Sequence, residues 1–298
     1  MTYHLNPQEQ LVDGLRDVAE DQIDSALDAL DEAEDDLEAA VHDLRKRMKK
    51  LRGLIRLFRP GLGKTYKAEN KAFRDIARLF SSIRDAQVLS ETVGALVDHA
   101  SDGPARQTLA PVADWARERR VEVLAEKGME NRLADARKRL TKARDRVGGW
   151  EIDGMPVEAL RQGLAKTYKR ARKRYAEAQR TPEPDLLHEW RKRVKYHWYH
   201  CRLLREAWPE LICAQIHALD ELSDLLGDDH DLVVLMRSLE REAPDIPAPA
   251  VAALRQLATD RSLYLRRRAF ALAPQVMVET KSALSRRMAG YWTSAAAL

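Results

Sequence analysis

Apolar residues recur three and four positions apart through most of this chain, and the period-two alternation that marks a strand is hard to find. Ala, Leu, Arg, Glu and Lys, all strong helix formers, fill the stretches between a few Gly/Pro-rich interruptions. The clear interruptions are RPGLG at 59–63, SDGP at 101–104, GGWEIDGMP at 148–156, TPEP at 181–184 and PDIPAP at 244–249. Between them the pattern predicts helices of roughly 20 to 35 residues, and therefore an all-α protein.

The chain also repeats itself. At a shift of 146, HDLRKRMK at 42–49 lies over HEWRKRVK at 188–195, and Arg56, Leu57 and Arg59 lie over Arg202, Leu203 and Arg205. Leu79, Asp85, Val88 and Leu89 fall on Leu225, Asp231, Val234 and Leu235 at the same shift, with no gap between the blocks. One basic helix can resemble another by chance, but two blocks at one offset indicate an internal repeat. The expected organisation is two similar helical bundles, residues 1–150 and 151–298, joined near Gly148–Pro156.

The repeated segment has two faces. At about 100° per residue, Arg45, Lys46, Lys49, Arg52 and Arg56 share one side with His42, while Leu44, Met48, Leu51, Ile55 and Phe58 take the other. The second copy places His188, Arg191, Lys192, Lys195 and Arg202 on its stripe, joined by Trp198 and Tyr199, with Trp190, Val194 and Cys201 behind. Like charges one turn apart destabilise a helix by a few tenths of a kcal/mol per pair, so a repeated stripe asks for a counter-charge. A solvated face, or neutralisation by acids elsewhere, is the plain account. The sharper one is an anion site: cations about 5 Å apart suit a polyanion with regularly spaced phosphates, which Arg holds bidentately and Lys as a point charge. Face to face, the two stripes would form a cationic groove or channel. Lys166, Lys169, Arg170 and Lys173 make a further stripe, and Lys50, Lys64, Lys67 and Lys71 adjoin the first basic helix as secondary candidates. His42 and His188, set among cations, are expected to be neutral near pH 7, and bound phosphate would reverse that bias. The plain alternative is a histidine bonded within the helix packing.

Composition sharpens this reading. The 51 Lys and Arg against 47 Asp and Glu leave +4 over 298 residues, but the charges are segregated. Residues 17–38 hold eleven acids and no base, which leaves 51 cations against 36 acids, or +15, in the rest. With Val18, Ile23, Ala26, Leu27 and Leu30 at helical spacing, 17–38 reads as an amphipathic helix. At the 146 shift it overlies the basic stretch 164–180. It is expected to present a solvated acidic face, or else to occlude one end of the channel or dock on another copy. No apolar run reaches the length of a membrane span, the first residues lack a signal-peptide pattern, and Cys201 and Cys213 make no disulfide framework. A cytoplasmic protein is expected.

Other constellations are weaker. GDDHDL at 227–232 gathers three carboxylates and an imidazole, but sequence neighbours do not face one point; Gly followed by Asp suggests helix-start capping, and Asp231 a partner for a basic-helix cation. His197, His200 and Cys201 suggest zinc only superficially, core placement being the expectation. PGLGKT at 60–65 is a fragment of a phosphate loop and follows no strand. No metal site, cofactor or nucleophile signature is predicted.

HDLRKRMKKLRGLIRLF at 42–58, HEWRKRVKYHWYHCRLL at 188–204 and LGDDHDLVVL at 226–235, with SIRDAQVL at 82–89 as a weaker match, resemble the CHAD family, the conserved histidine α-helical domain. The resemblance implies two four-helix bundles related by pseudo-twofold symmetry, basic residues lining a central channel, and binding of inorganic polyphosphate with association to polyphosphate granules in bacteria. It implies a ligand set of His42, Arg45, Lys46, Lys49, Arg52, Arg56, His188, Arg191, Lys192, Lys195 and Arg202. Lys50 and Arg52 become Tyr196 and Trp198 in the second copy, Arg84 stands where the second copy has His230, and Ser81 where it has Gly227. A non-catalytic polyphosphate binder is the leading expectation, with homo-oligomers or granule proteins as further partners. A nucleic-acid binder and a metal-dependent phosphate-transfer or hydrolysis enzyme are the rivals.

Overall fold

The computed structural model describes residues 3–100, 103–242 and 245–298. Every regular element among them is helical: α1 (Leu11–Asp31), α2 (Leu37–Leu57), α3 (Arg59–Arg78), α4 (Ser81–Asp98), α5 (Gly103–Leu124), α6 (Met129–Val147), α7 (Pro156–Arg180), α8 (Pro184–Leu203), α9 (Pro209–Glu242), α10 (Ala248–Val276) and α11 (Lys281–Ala296). The protein is all-α, as the periodicity predicts. The expected interruptions fall at helix junctions, although Ser101, Asp102 and Pro244 lie outside the described residues.

The acidic segment 17–38 is a correction, because it is not one helix. α1 ends at Asp31, a short 3-10 turn covers Glu32–Glu34, and Asp36 starts α2 by accepting the Ala39 N–H at 3.0 Å. Apolar spacing carries the eye across this junction, but a carboxylate that captures a backbone N–H begins a new helix. A second correction concerns GDDHDL. α9 runs 34 residues without a break, so Gly227 and its neighbours sit inside a helix and cap nothing. The equivalent stretch of the first half is split at Leu79–Phe80 into α3 and α4.

The helix pairings run parallel in the two halves. α1 packs on α2 and α6, and α7 packs on α8 and α11; α4 packs on α5, and α9 on α10. Across the halves α2 meets α8, α4 meets α9 and α5 meets α10. One apolar core runs through both, with Leu44, Met48, Phe58, Trp150, Tyr168 and Trp190 fully enclosed. Buried positions give the register: Leu44, Met48, Leu51 and Ile55 correspond to Trp190, Val194, His197 and Cys201, 146 residues on. In α1 and α7 the buried sets match at 149 instead, Leu15 with Leu164, Ala19 with Tyr168, Gln22 with Ala171. The turn Glu32–Glu34 supplies the three extra residues, so the overlay of the acidic and basic helices moves by that amount.

Two contacts fix the neighbourhood of the basic helices. Gly163 of α7 lies so close to the end of α2 that a Cβ would stand 1.7 Å from the Leu57 carbonyl oxygen. The leading segment crosses both basic helices: the Tyr3 hydroxyl donates to the Lys50 carbonyl and the Leu5 N–H to that of Leu203, each at 2.8 Å. No helix among the described residues is long and apolar enough to cross a membrane.

Candidate anion-binding groove

The back faces of α2 and α8 explain how the cations come together. Leu44, Met48, Leu51 and Ile55, and in α8 Trp190, Val194 and Cys201, are at most 1% exposed. Anchored by these residues, each helix turns its polar face away from its own bundle core. α2 meets α8, and α4 and α9 each pack on one of them as well as on each other, so the four helices form a ring. Arg45 and Lys49 of α2, Arg84 of α4, and Arg191 and Lys195 of α8 share this space. Lys49 is exposed, yet surrounded by enough protein to be heavily desolvated, which describes a concave surface. Its ammonium is pushed down to about 8, first by burial and then by Arg45, Arg191, Arg84 and Lys195.

The arginines are held but not satisfied. Arg45 donates from Nη1 to the Ala77 carbonyl at 2.6 Å, while its Nε is buried without a hydrogen-bond partner. Arg191 lies across α9 at Gly227, where a Cβ would meet its Nε and Nη2 at 3.3 Å, and its Nε is likewise unpartnered. Gly227 thus clears room for a guanidinium, a role sequence reasoning missed because Gly-Asp suggested a cap. Two histidines flank the cations. His42 is held below its usual value by burial, then by Arg84, Lys46 and Lys49. His188 is held low by burial, then by Lys192 and Arg191, and stacks on His230 with ring centroids 4.0 Å apart.

α4 and α9 contribute acids to the same space. Burial raises Asp85 and Asp224 and lifts Asp231 to about 6, against the opposing pull of Arg191, Arg84 and Lys49 on the last. Two cations of this set are paired with carboxylates among the described residues: Lys195 with Asp220 at 3.6 Å and Asp224 at 4.0 Å, and Arg84 with Glu91 at 3.6 Å. Asp231 forms no ion pair within 4 Å there, so its expected partnership with a basic-helix cation is one of field and not of contact. Behind Arg84 and Asp231 a cavity of about 530 Å³ opens between α4, α9 and α10, floored by Leu96, Leu232 and Leu265.

The rest of the stripe does not converge on this point. Lys46 bonds Asp43 at 3.2 Å and Lys192 bonds Glu189, each paired within its own helix to a carboxylate shared with a neighbouring arginine. Arg52 and Arg56 lie toward the end of α2, sharing Asn70 Oδ1 at 3.2 and 3.5 Å. Arg202 lies over Trp198 and Tyr3, at 4.7 and 5.6 Å from the ring centroids. Lys50 is a correction: it is 7% exposed beneath Tyr3, and burial with Arg47 and Arg202 nearby pushes it down to about 8. Trp198 and Tyr199 are buried too, so they are no open part of the stripe; Trp198 instead lies 3.9 Å from the Lys195 ammonium. Lys64, Lys67, Lys71, Lys169 and Lys173 are exposed on α3 and α7, where Lys71 pairs with Asp75 and Lys173 with Glu177. Lys166 and Arg170 face a separate cleft with Arg56.

The GDDHDL carboxylates diverge as the helix dictates. Asp228 and Asp231 border the cavity, whereas Asp229 accepts from Ser262 at 2.5 Å and Arg266 at 2.8 Å, tying α9 to α10. His197, His200 and Cys201 are enclosed, with His200 Nε2 3.2 Å from the Gly53 carbonyl oxygen.

A family model described as CHAD domain matches residues 18–240. No curated protein matches the chain. Among solved structures it is similar to the CHAD domain from the plant Ricinus communis, at 18% identity over 96% of this chain and 94% of that one, with a TM-score of 0.54. It is also similar to PptA from Streptomyces chartreusis, at 16% identity over 89% of this chain and 99% of that one, with a TM-score of 0.55. Both likenesses are of fold.

Proposed function

Because the chain belongs to the CHAD domain family, we propose that it binds inorganic polyphosphate without chemically altering it, in a cationic channel between its two basic helices. The observation that carries this reading is the crowding of Arg45, Lys49, Arg84, Arg191 and Lys195 until Lys49 reaches about 8, with buried donors on Arg45 and Arg191 left over. Crowded cations repel one another, and a ligand with one charge per phosphate offsets that repulsion along its whole length. The parallel helix pairings support two bundles related by a pseudo-twofold axis, which would give both stripes the same view of one chain. Binding of this kind would place the protein at polyphosphate granules.

The test is competition at matched charge and ionic strength, since polyphosphate and nucleic acid both bind with strong salt dependence. Long-chain polyphosphate is expected to bind more tightly than single- or double-stranded DNA, and to survive incubation with Mg²⁺ without release of orthophosphate. Preference for DNA would overturn the ligand, and turnover would overturn the absence of catalysis.

A further inference from the structure

The stripe on α2 does not end in the groove. Seven residues beyond Lys49, about 10 Å along the helix, Arg56 enters a cleft lined also by Arg59, Lys166, Arg170, Arg193 and Tyr196. Gly163 builds this cleft. Its contact with Leu57 brings α7 against the end of α2, so that Lys166 and Arg170, one and two turns further on, stand beside Arg56 and Arg59.

Aromatic rings hold Arg56 and Arg59 there in place of carboxylates. The Arg56 guanidinium lies 3.9 Å from the Tyr196 ring centroid and 5.8 Å from that of Tyr66, and Arg59 lies 4.9 Å from Tyr66. Arg56 Nε is buried and unpartnered. Among the described residues Arg56, Arg59, Lys166 and Arg170 have no carboxylate within 4 Å, and Arg193 alone is paired, with Glu189 at 3.2 Å. Lys166 is lowered first by Arg59, then by burial and Arg170; Arg170 is lowered by burial, then by Arg193, Arg59 and Arg56. A solvated surface would spread such charges or pair them. Here five cations gather around a narrow cleft of about 10 Å³, with Arg56 and Arg59 flattened against rings, which leaves a cationic rim across which a phosphate can lie.

We propose that this cleft is a second phosphate-binding station, where a chain held in the groove passes Arg52 and leaves across α7. The proposal rests on the polyphosphate reading above, and it adds a consequence: the protein favours chains long enough to occupy both stations. Among the described residues the equivalent positions of the first half are acidic, Asp17 and Asp21 of α1 standing where α7 carries Lys166 and Arg170.

The test measures long-chain polyphosphate and tripolyphosphate against the wild type and a variant with Arg59→Ala, Lys166→Ala and Arg170→Ala, all partly or fully exposed, with helical content checked by circular dichroism. The variant is expected to lose about tenfold for the long chain, as three partly screened contacts would give, with a shallower salt dependence and unchanged affinity for tripolyphosphate. Unchanged long-chain affinity would overturn the second station. An equal loss for both ligands would also overturn it, since the cations would then act only as a general field. A wild type that binds neither ligand would instead remove the polyphosphate reading on which the proposal rests.

Discussion

The two pairs of equivalent helices in this molecule have diverged in different ways. α2 and α8 bury matching positions and carry matching cations; α1 and α7 bury matching positions and carry opposite charges. At the 149 register Lys166 stands for Asp17, Lys169 for Glu20, Arg170 for Asp21 and Lys173 for Asp24. The acids of α1 meet arginines of α6: Arg144 lies 3.1 Å from Glu20 and 2.9 Å from Asp24, and Arg137 pairs with Asp31. On α7, Lys173 pairs with Glu177, whereas Lys166 and Arg170 meet more cations. Burial fixes the inner face of each helix and leaves the outer face free, so the fold alone allows the outer faces of α1 and α7 to diverge. It does not account for a charge pattern kept twice on α2 and α8, which the proposed ligand touching both would explain.

The sharpest test of that distinction removes Arg45, Lys49, Arg191 and Lys195 together as alanines. At about 1.5–3 kcal/mol for each charge-assisted contact, polyphosphate affinity should fall by at least about a thousandfold, with the helical circular dichroism signal intact. The two half-variants, Arg45→Ala with Lys49→Ala and Arg191→Ala with Lys195→Ala, should each lose a comparable share. A half-variant that binds like the wild type would show that one stripe suffices and that the repetition is inherited shape.

The second test sets glycine against glycine at the same register. Gly163→Ala drives a methyl group onto the Leu57 backbone at 1.7 Å, while Gly14→Ala on α1 meets two side-chain atoms, Leu5 Cδ2 at 3.5 Å and Glu9 Oε2 at 4.0 Å. A backbone cannot step aside as a side chain can, so Gly163→Ala should cost about 3 kcal/mol in thermal or urea unfolding. Gly14→Ala should be neutral, or gain up to about 1 kcal/mol from helix propensity. Equal effects would mean that α7 does not bear on α2 more closely than α1 does.

These cases also show what was legible beforehand. Apolar periodicity identified the all-α fold, and a helical wheel separated Leu44, Met48 and Trp190 from Arg45, Lys49 and Arg191, because both are properties of one helix. Convergence of the stripes with Arg84, Asp85 and Asp231 depends on which helices meet, which no single period encodes. Gly227 was misread for the same reason: its meaning lies in Arg191, thirty-six residues earlier and on another helix. Lys50 failed where local charge pointed outward but Tyr3, far off in sequence, covers it.

Protonation offers a smaller effect with a definite sign. A bound polyanion raises the pKa of every group it faces, so binding takes up protons and weakens wherever those groups have lost them. Lys49, at about 8, is charged at pH 7 and increasingly neutral above pH 8. Affinity should therefore fall by up to about tenfold between pH 7.5 and 9. Lys49→Arg, which stays protonated throughout, should flatten that limb in titrations by calorimetry; an unaltered limb would assign it to other groups.

The smallest effect probes whether the acids are repeated in function as the cations are. Asp231, lifted to about 6, is ionised at pH 7 and largely protonated at pH 5, so it opposes a polyanion at the higher pH only. Asp231→Asn should raise affinity about threefold at pH 7, a screened single-charge effect, and change little at pH 5. Asp85 occupies the equivalent place on α4 and is raised by burial as well, but it is exposed and faces Arg45, Arg84 and Lys49. Its neutralisation should therefore have the same sign and a smaller size. If Asp85→Asn matched Asp231→Asn, the acids would be as evenly shared between the halves as the cations. If Asp231→Asn instead weakened binding, the carboxylate would serve to orient Arg191 toward the ligand and would count as a positioning group.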